Sequence, residues 1–162
     1  MNADDVRKLY RYNDWANARL LATIAELPDE AFTRTIVSSF PSIRDTVAHI
    51  AFAEWLWLGR WRGAGPSGMP AWSRDASFAV LRETLQEIAV DREAYLRELT
   101  DAAVGSTIDY VSTEGDPFTM PLADLFVHCA NHSTYHRGQL VTMLRQVGAE
   151  PPNMDYSRFA RA

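Results

Sequence analysis

Cysteine is nearly absent from this 162-residue chain: Cys129 stands alone, so no intrachain disulfide can form and the fold cannot depend on oxidation. Positive charge is also short, with 16 Lys and Arg against 21 Asp and Glu and a net charge of −5. A nucleic-acid binder needs a concentrated basic face. Here Arg7, Lys8, Arg11 and Arg19 are interleaved with Asp4, Asp5 and Asp14, so no nucleic-acid partner is expected. Long apolar runs are missing too. The most apolar stretch, Val47–Leu58, contains His49 and Glu54 and is too short to span a bilayer. Met1–Asp5 is polar and acidic where a secretory signal would begin with a basic segment. These absences point to a soluble cytoplasmic protein with no membrane partner.

What is present is ordinary globular material. Apolar residues make up 47% and charged residues 23% of the chain, enough to bury a core within one domain spanning residues 1–162. Four long segments carry a helical period. The first runs from about Asp4 to Glu26, with Val6, Leu9, Ala16, Leu20 and Ile24 at three- and four-residue steps before Pro28. The second begins at Ser42, with Asp45 three residues on as a capping-box variant, and reaches about Arg62. The third spans about Ser77 to Asp101. The fourth opens at Pro121, read as its first helical residue, and stops at Gly148. Between the third and fourth, Thr107–Met120 reads as a short β-hairpin. The expected fold is all-α, a four-helix bundle, and the long link from Gly63 to Arg74 lets the second and third helices run parallel. The second helix is apolar nearly all round: Ile43, Val47, Ile50, Ala51 and Leu58 share one face, with Phe52 and Leu56 opposite. Such a helix is either central to the monomer or covered by a second copy, and three of the five tryptophans falling in it favour a homodimer interface.

Histidine is scarce and unevenly placed. Of His49, His128, His132 and His136, three lie at four-residue spacing on the last helix, where neighbours stand about 5–6 Å apart at Cβ. His128 and His136 are separated by about 12 Å of axial rise, too far for one ion. Phase selects the pair. The apolar stripe of this helix is Leu122, Leu125, Cys129, Leu140, Met143 and Val147; His136 falls inside it, His132 at its shoulder, and His128 at or beyond its edge. Imidazoles pointing into a bundle core need a partner, and a metal ion supplies one. The third ligand must come from elsewhere, and His49 on the second helix is the remaining histidine. Three neutral imidazoles leave positions open for water or substrate. Phase and scarcity thus offer His49, His132 and His136 as metal ligands; the alternative is a set of hydrogen-bonded core histidines, the commoner role for a lone buried one such as His49. Cys129 reads as a small core residue and Tyr135 points away from the pair.

Two superficial motifs fail. The glycines of Gly63–Gly68 follow a helix and are broken by Pro66, so they form a linker and no dinucleotide loop. His132 and His136 have the spacing of a zinc peptidase, but Ser133 stands where the glutamate base belongs.

The run His128-Cys129-Ala130-Asn131-His132-Ser133-Thr134-Tyr135-His136-Arg137-Gly138-Gln139-Leu140 resembles the signature of the DinB/YfiT-like proteins. The tail Gly148–Tyr156, the early Tyr12–Asn17 and the approach Ile43–His49 are similar to the corresponding parts of that family. The resemblance covers essentially the whole chain. It implies an up-down-down-up bundle, frequently dimeric, with one divalent metal per chain on His49, His132 and His136. Nickel or zinc is favoured, and iron or copper also suits imidazole ligands. It further implies a metal-dependent enzyme: a transferase of a low-molecular-weight thiol, whose sulfur the metal would activate, or a hydrolase. The alternative is a metal-binding stress-response or interaction protein without turnover. Arg137 and Gln139 stand beside the site, where they could steer an anionic or polar substrate, although an exposed helical arginine is more often simply solvated. Glu54 and Asp45 are the available acids or bases on the second helix, with helix capping the plainer role for Asp45.

Overall fold

The computed structural model describes residues 1–65, 68–74 and 76–161. The part of the Gly63–Gly68 linker at Pro66 and Ser67 lies outside them. Four long helices form: α1 (Ala3–Ile24), α3 (Ile43–Trp61), α4 (Phe78–Arg97) and α6 (Leu122–Gln146). Each of the first three starts on a side-chain cap that satisfies an otherwise orphaned N–H: Asn2 with Asp5 in a reciprocal capping box, Ser42 on Asp45, and Ser77 on Val80. The fourth starts one residue later than the sequence suggests. Pro121 ends the preceding strand with ψ near 131°, so Leu122 is the first helical residue. Gly148, at φ +85°, terminates α6 in the left-handed conformation that favours glycine.

Three short helices, α2 (Asp29–Thr33), α5 (Asp101–Val104) and α7 (Tyr156–Phe159), are too brief to show a period in sequence. The third long helix accordingly ends at Arg97, and α5 resumes at Asp101 after a break capped by Thr100. The expected hairpin is present as β1 (Thr107–Val111) paired antiparallel with β2 (Pro117–Pro121), Ile108 facing Met120.

Contacts fix the direction of each helix. Trp61 packs on Phe126 while Thr46 meets Met143, so α3 and α6 are antiparallel. Tyr10 donates to the Phe126 carbonyl while Arg137 reaches Asn17, so α1 and α6 run parallel. Arg7 reaches Leu96 and Arg92 reaches Asp14, making α1 and α4 antiparallel, and α3 and α4 are parallel through Glu54–Arg92 and Trp61–Tyr95. The bundle is therefore up-down-down-up. Its core is continuous: Val6, Leu20, Ile43, Val47, Ile50, Leu81, Leu125, Leu140 and Met143 are all buried. Phe52 and Leu56 on the outer side of α3 are half-buried. Beside them a 3₁₀ turn (Ala71–Ser73) lays Trp72 edge-on to Trp55 at 6.1 Å, so the link itself covers part of that face.

Candidate metal centre

The α3–α6 seam brings three imidazoles together. His49 projects from α3; His132 and His136 project from α6 one turn apart. The Nε2 of His132 lies 3.1 Å from Nε2 of His49 and 3.2 Å from Nε2 of His136. One nitrogen from each ring falls within 4.8 Å of the others. Imidazole nitrogens bound to a divalent ion at about 2.0–2.1 Å, with angles near 90–110°, stand about 2.8–3.4 Å apart. The two shorter separations match. Hydrogen bonding alone does not serve the group as well: one Nε2 of His132 faces two others, and a single ring position donates once or accepts once. The three nitrogens thus have the chemistry of a metal-binding set, with His132 at coordination spacing from each of the other two.

The surroundings set the tautomers and the charge. His136 Nδ1 lies 2.8 Å from Gln139 Oε1; a proton there leaves Nε2 with a free lone pair, the form a ligand requires. Gln139 in turn donates to Ser39 Oγ at 2.9 Å, tying down the loop that carries Phe40. The Phe40 ring lies 4.3 Å from the His49 ring and 5.5 Å from that of His136, closing one end of the cluster with an apolar wall. His132 Nδ1 is buried without a hydrogen-bond partner among the described residues. Burial, helped by the His136 imidazole beside them, pushes His49 and His132 down to about 4, so both are neutral at pH 7.

These shifts carry a sign. An imidazole that titrates near 6.5 when unfolded and about 4 when folded gives stability that is present above pH 6.5 and lost as pH falls towards 4. Asp14, raised from 3.8 to about 6 chiefly by burial, runs the other way across much of the same window. The comparison that isolates the histidines is metal-free wild type against His49→Gln/His132→Gln. Between pH 7 and pH 5 the urea midpoint of wild type should fall further than that of the variant. Parallel losses would contradict the burial of these two rings.

The other histidine stays apart. His128 is exposed, edge-on to Trp57 at 5.1 Å, and its ring is 6.2 Å from that of His132. Cys129 is buried and its thiol is pushed up to about 12, mainly by burial, which fits a core residue. Tyr135 is 65% exposed, as phase suggested.

Arg137 is a correction. The expectation is a residue beside the site that steers substrate or meets solvent, but Arg137 is 2% exposed and turned inward. Its Nη1 donates to Asn13 Oδ1 at 2.6 Å and Asn17 Oδ1 at 2.8 Å, and its Nη2 to Thr134 Oγ1 at 2.7 Å. The buried surroundings depend on α1, more than a hundred residues away in the chain, and no local signal marks them. Gln139 is likewise engaged with His136 and Ser39.

Neither acid from α3 is free for proton transfer. Asp45 closes the N-terminus of its helix, accepting from Ser42 Oγ while its own N–H donates to that oxygen at 3.1 Å. Glu54 is 1% exposed and accepts four hydrogen bonds: from Arg92 Nη1 at 2.7 Å, Asn13 Nδ2 at 2.9 Å, Asn17 Nδ2 at 3.0 Å and Ser133 Oγ at 2.9 Å. Burial alone would raise its carboxyl, but Arg92 and the three neutral donors outweigh it and hold the group below its ordinary value. Arg92 also pairs with Asp14.

Comparison with known proteins agrees with this architecture. The chain is 29% identical to Protein DinB of Bacillus subtilis (strain 168), over 97% of this chain and 94% of that protein. Among solved structures it superposes on a DinB-like protein from Bacillus cereus ATCC 10987 with a TM-score of 0.74 at 21% identity, covering 94% and 97% of the two chains. It also superposes on YfiT from Bacillus subtilis, described as a probable metal-dependent hydrolase with an unusual four-helix bundle topology. That match has a TM-score of 0.68 at 18% identity and covers 90% and 89% of the chains. Residues 1–162 match the DinB family, and the chain belongs to it.

Proposed function

We propose that this protein is a metal-dependent enzyme holding one divalent ion per chain on His49, His132 and His136. The convergence of three imidazole nitrogens, two of the separations being 3.1 and 3.2 Å, carries the reading. The description of YfiT as a probable metal-dependent hydrolase supports it. Nickel or zinc is the proposed ion, since a set of neutral nitrogen donors suits both. A divalent ion in such a site supplies Lewis-acid chemistry, polarising a carbonyl and lowering the pKa of water or a thiol.

The chain's own residues do the rest. His49 and His132 reach neutral pH already unprotonated, so binding at those two rings displaces no proton. Gln139 orients His136, and Phe40 keeps water from one end of the cluster. Hydrolysis is the first reading. Transfer of a low-molecular-weight thiol is the second, favoured by a specific observation: Glu54 and Asp45 are both engaged, so the nucleophile must ionise without a carboxylate base from α3.

The test uses zinc- and nickel-loaded protein with panels of activated esters and amides. In parallel, a small thiol is offered together with a chloroarene electrophile. Turnover that needs the metal and disappears in His49→Ala supports the enzyme, and the productive panel selects the reaction. Stoichiometric metal with no turnover in either panel would replace it with a non-catalytic metal-binding protein.

A further inference from the structure

Glu54 is a carboxylate at which all four long helices meet. It stands on α3, five residues after His49; Asn13 and Asn17 reach it from α1, Arg92 from α4 and Ser133 from α6. On α6 the inward-facing residues have a particular placement. Ser133 directly follows His132, and Arg137 directly follows His136. Successive helical residues turn by about 100°, so each imidazole and its follower leave the helix on different sides. Ser133 bonds Glu54 itself. Arg137 bonds the oxygens of Asn13 and Asn17, whose nitrogens bond Glu54. The helix carrying two of the three imidazoles is thereby pinned at two points one turn apart.

We propose that Glu54 is a positioning residue for the histidine cluster, setting through Ser133 and Arg137 the rotation and slide of α6 against α3. This rests on the metal reading above. The apolar core to which Val47, Ile50, Leu140 and Met143 all belong resists separation of the helices but is non-directional. A slide of one residue shifts a helix by about 1.5 Å, enough to spoil coordination at both α6 imidazoles while keeping most apolar contact. Hydrogen bonds lose strength steeply with such displacement. Buried charged groups contribute little net stability relative to apolar replacements, whereas fixing a register is the best-attested use of such groups.

The experiment uses Co(II), whose d–d absorption reports coordination geometry, on Ser133→Ala, Glu54→Gln and Ser133→Thr, with folding checked by circular dichroism. Leu81→Ala, a buried site on α4 away from the network, serves as a destabilised control. Ser133→Ala and Glu54→Gln should weaken cobalt binding about 10- to 100-fold and alter the d–d spectrum. Ser133→Thr, which keeps the hydroxyl, should retain both properties, and so should Leu81→Ala despite its lower melting temperature. Ser133→Ala needs only the loss of one hydroxyl, so it keeps the test open if Glu54→Gln does not fold. Wild-type affinity and spectrum in Ser133→Ala, or an equal loss in Leu81→Ala, would overturn the positioning role. Wild type that takes up no cobalt, nickel or zinc would overturn the metal reading beneath it.

Discussion

Replacing Arg92 with leucine should lower the unfolding free energy by about 3–5 kcal/mol, the cost of leaving a buried carboxylate without its cation. The guanidinium is 1% exposed, pairs with Glu54 at 2.7 Å and with Asp14, and lies 5.0 Å over the Tyr10 ring. Its removal strands Glu54 among three neutral donors, which cannot balance the charge. For a chain of this size each kcal/mol is worth about 2–4 °C, so melting should fall by roughly 6–20 °C. Removing both charges should cost less than the two single changes added together, because Glu54→Leu/Arg92→Leu leaves no unpaired Glu54 carboxylate. Chemical unfolding of the two single variants and the double measures this directly. A loss below about 1 kcal/mol in Arg92→Leu would mean that water reaches Glu54 and that the four-helix junction is not dry.

The second large effect separates binding from folding. His132→Ala should weaken metal binding about 100- to 1000-fold, since a structural zinc site of four ligands yields about 10–16 kcal/mol and one ligand about a quarter of that. The metal-free variant should be at least as stable as metal-free wild type at pH 5. Wild type keeps a neutral imidazole there against the tendency of the unfolded chain to protonate it. Isothermal titration with zinc, paired with urea unfolding of the metal-free forms, reads both quantities. Unchanged affinity would remove His132 from the ligand set.

Much of the fold is legible in the chain because its long helices carry their own period. Val6, Leu20 and Ile24 on α1, or Leu125, Leu140 and Met143 on α6, repeat on one stripe wherever the rest of the chain lies, and all six are buried. The proximity of His132 and His136 was readable for the same reason: both belong to one helix and phase places them on one side. His49 was reachable only because so few histidines compete for the third place. The polar interior was not readable. Arg137 looks like a solvated helical arginine until α1 sets Asn13 and Asn17 against it, and Glu54 looks available until α1, α4 and α6 each supply a donor. Such pairings are made between distant segments and leave no spacing in the sequence. Phe40 was missed on similar grounds, since it reaches the cluster from an irregular loop held by Gln139 and Ser39.

The most direct test of the metal site is elemental analysis of untagged protein exposed to nickel and zinc and then dialysed, wild type beside His132→Ala/His136→Ala. We expect about one divalent ion per wild-type chain and none in a double variant whose helical circular dichroism is unchanged. Wild-type protein that retains no ion after both exposures would contradict the site, and the three imidazoles would then be a hydrogen-bonded feature of the α3–α6 seam.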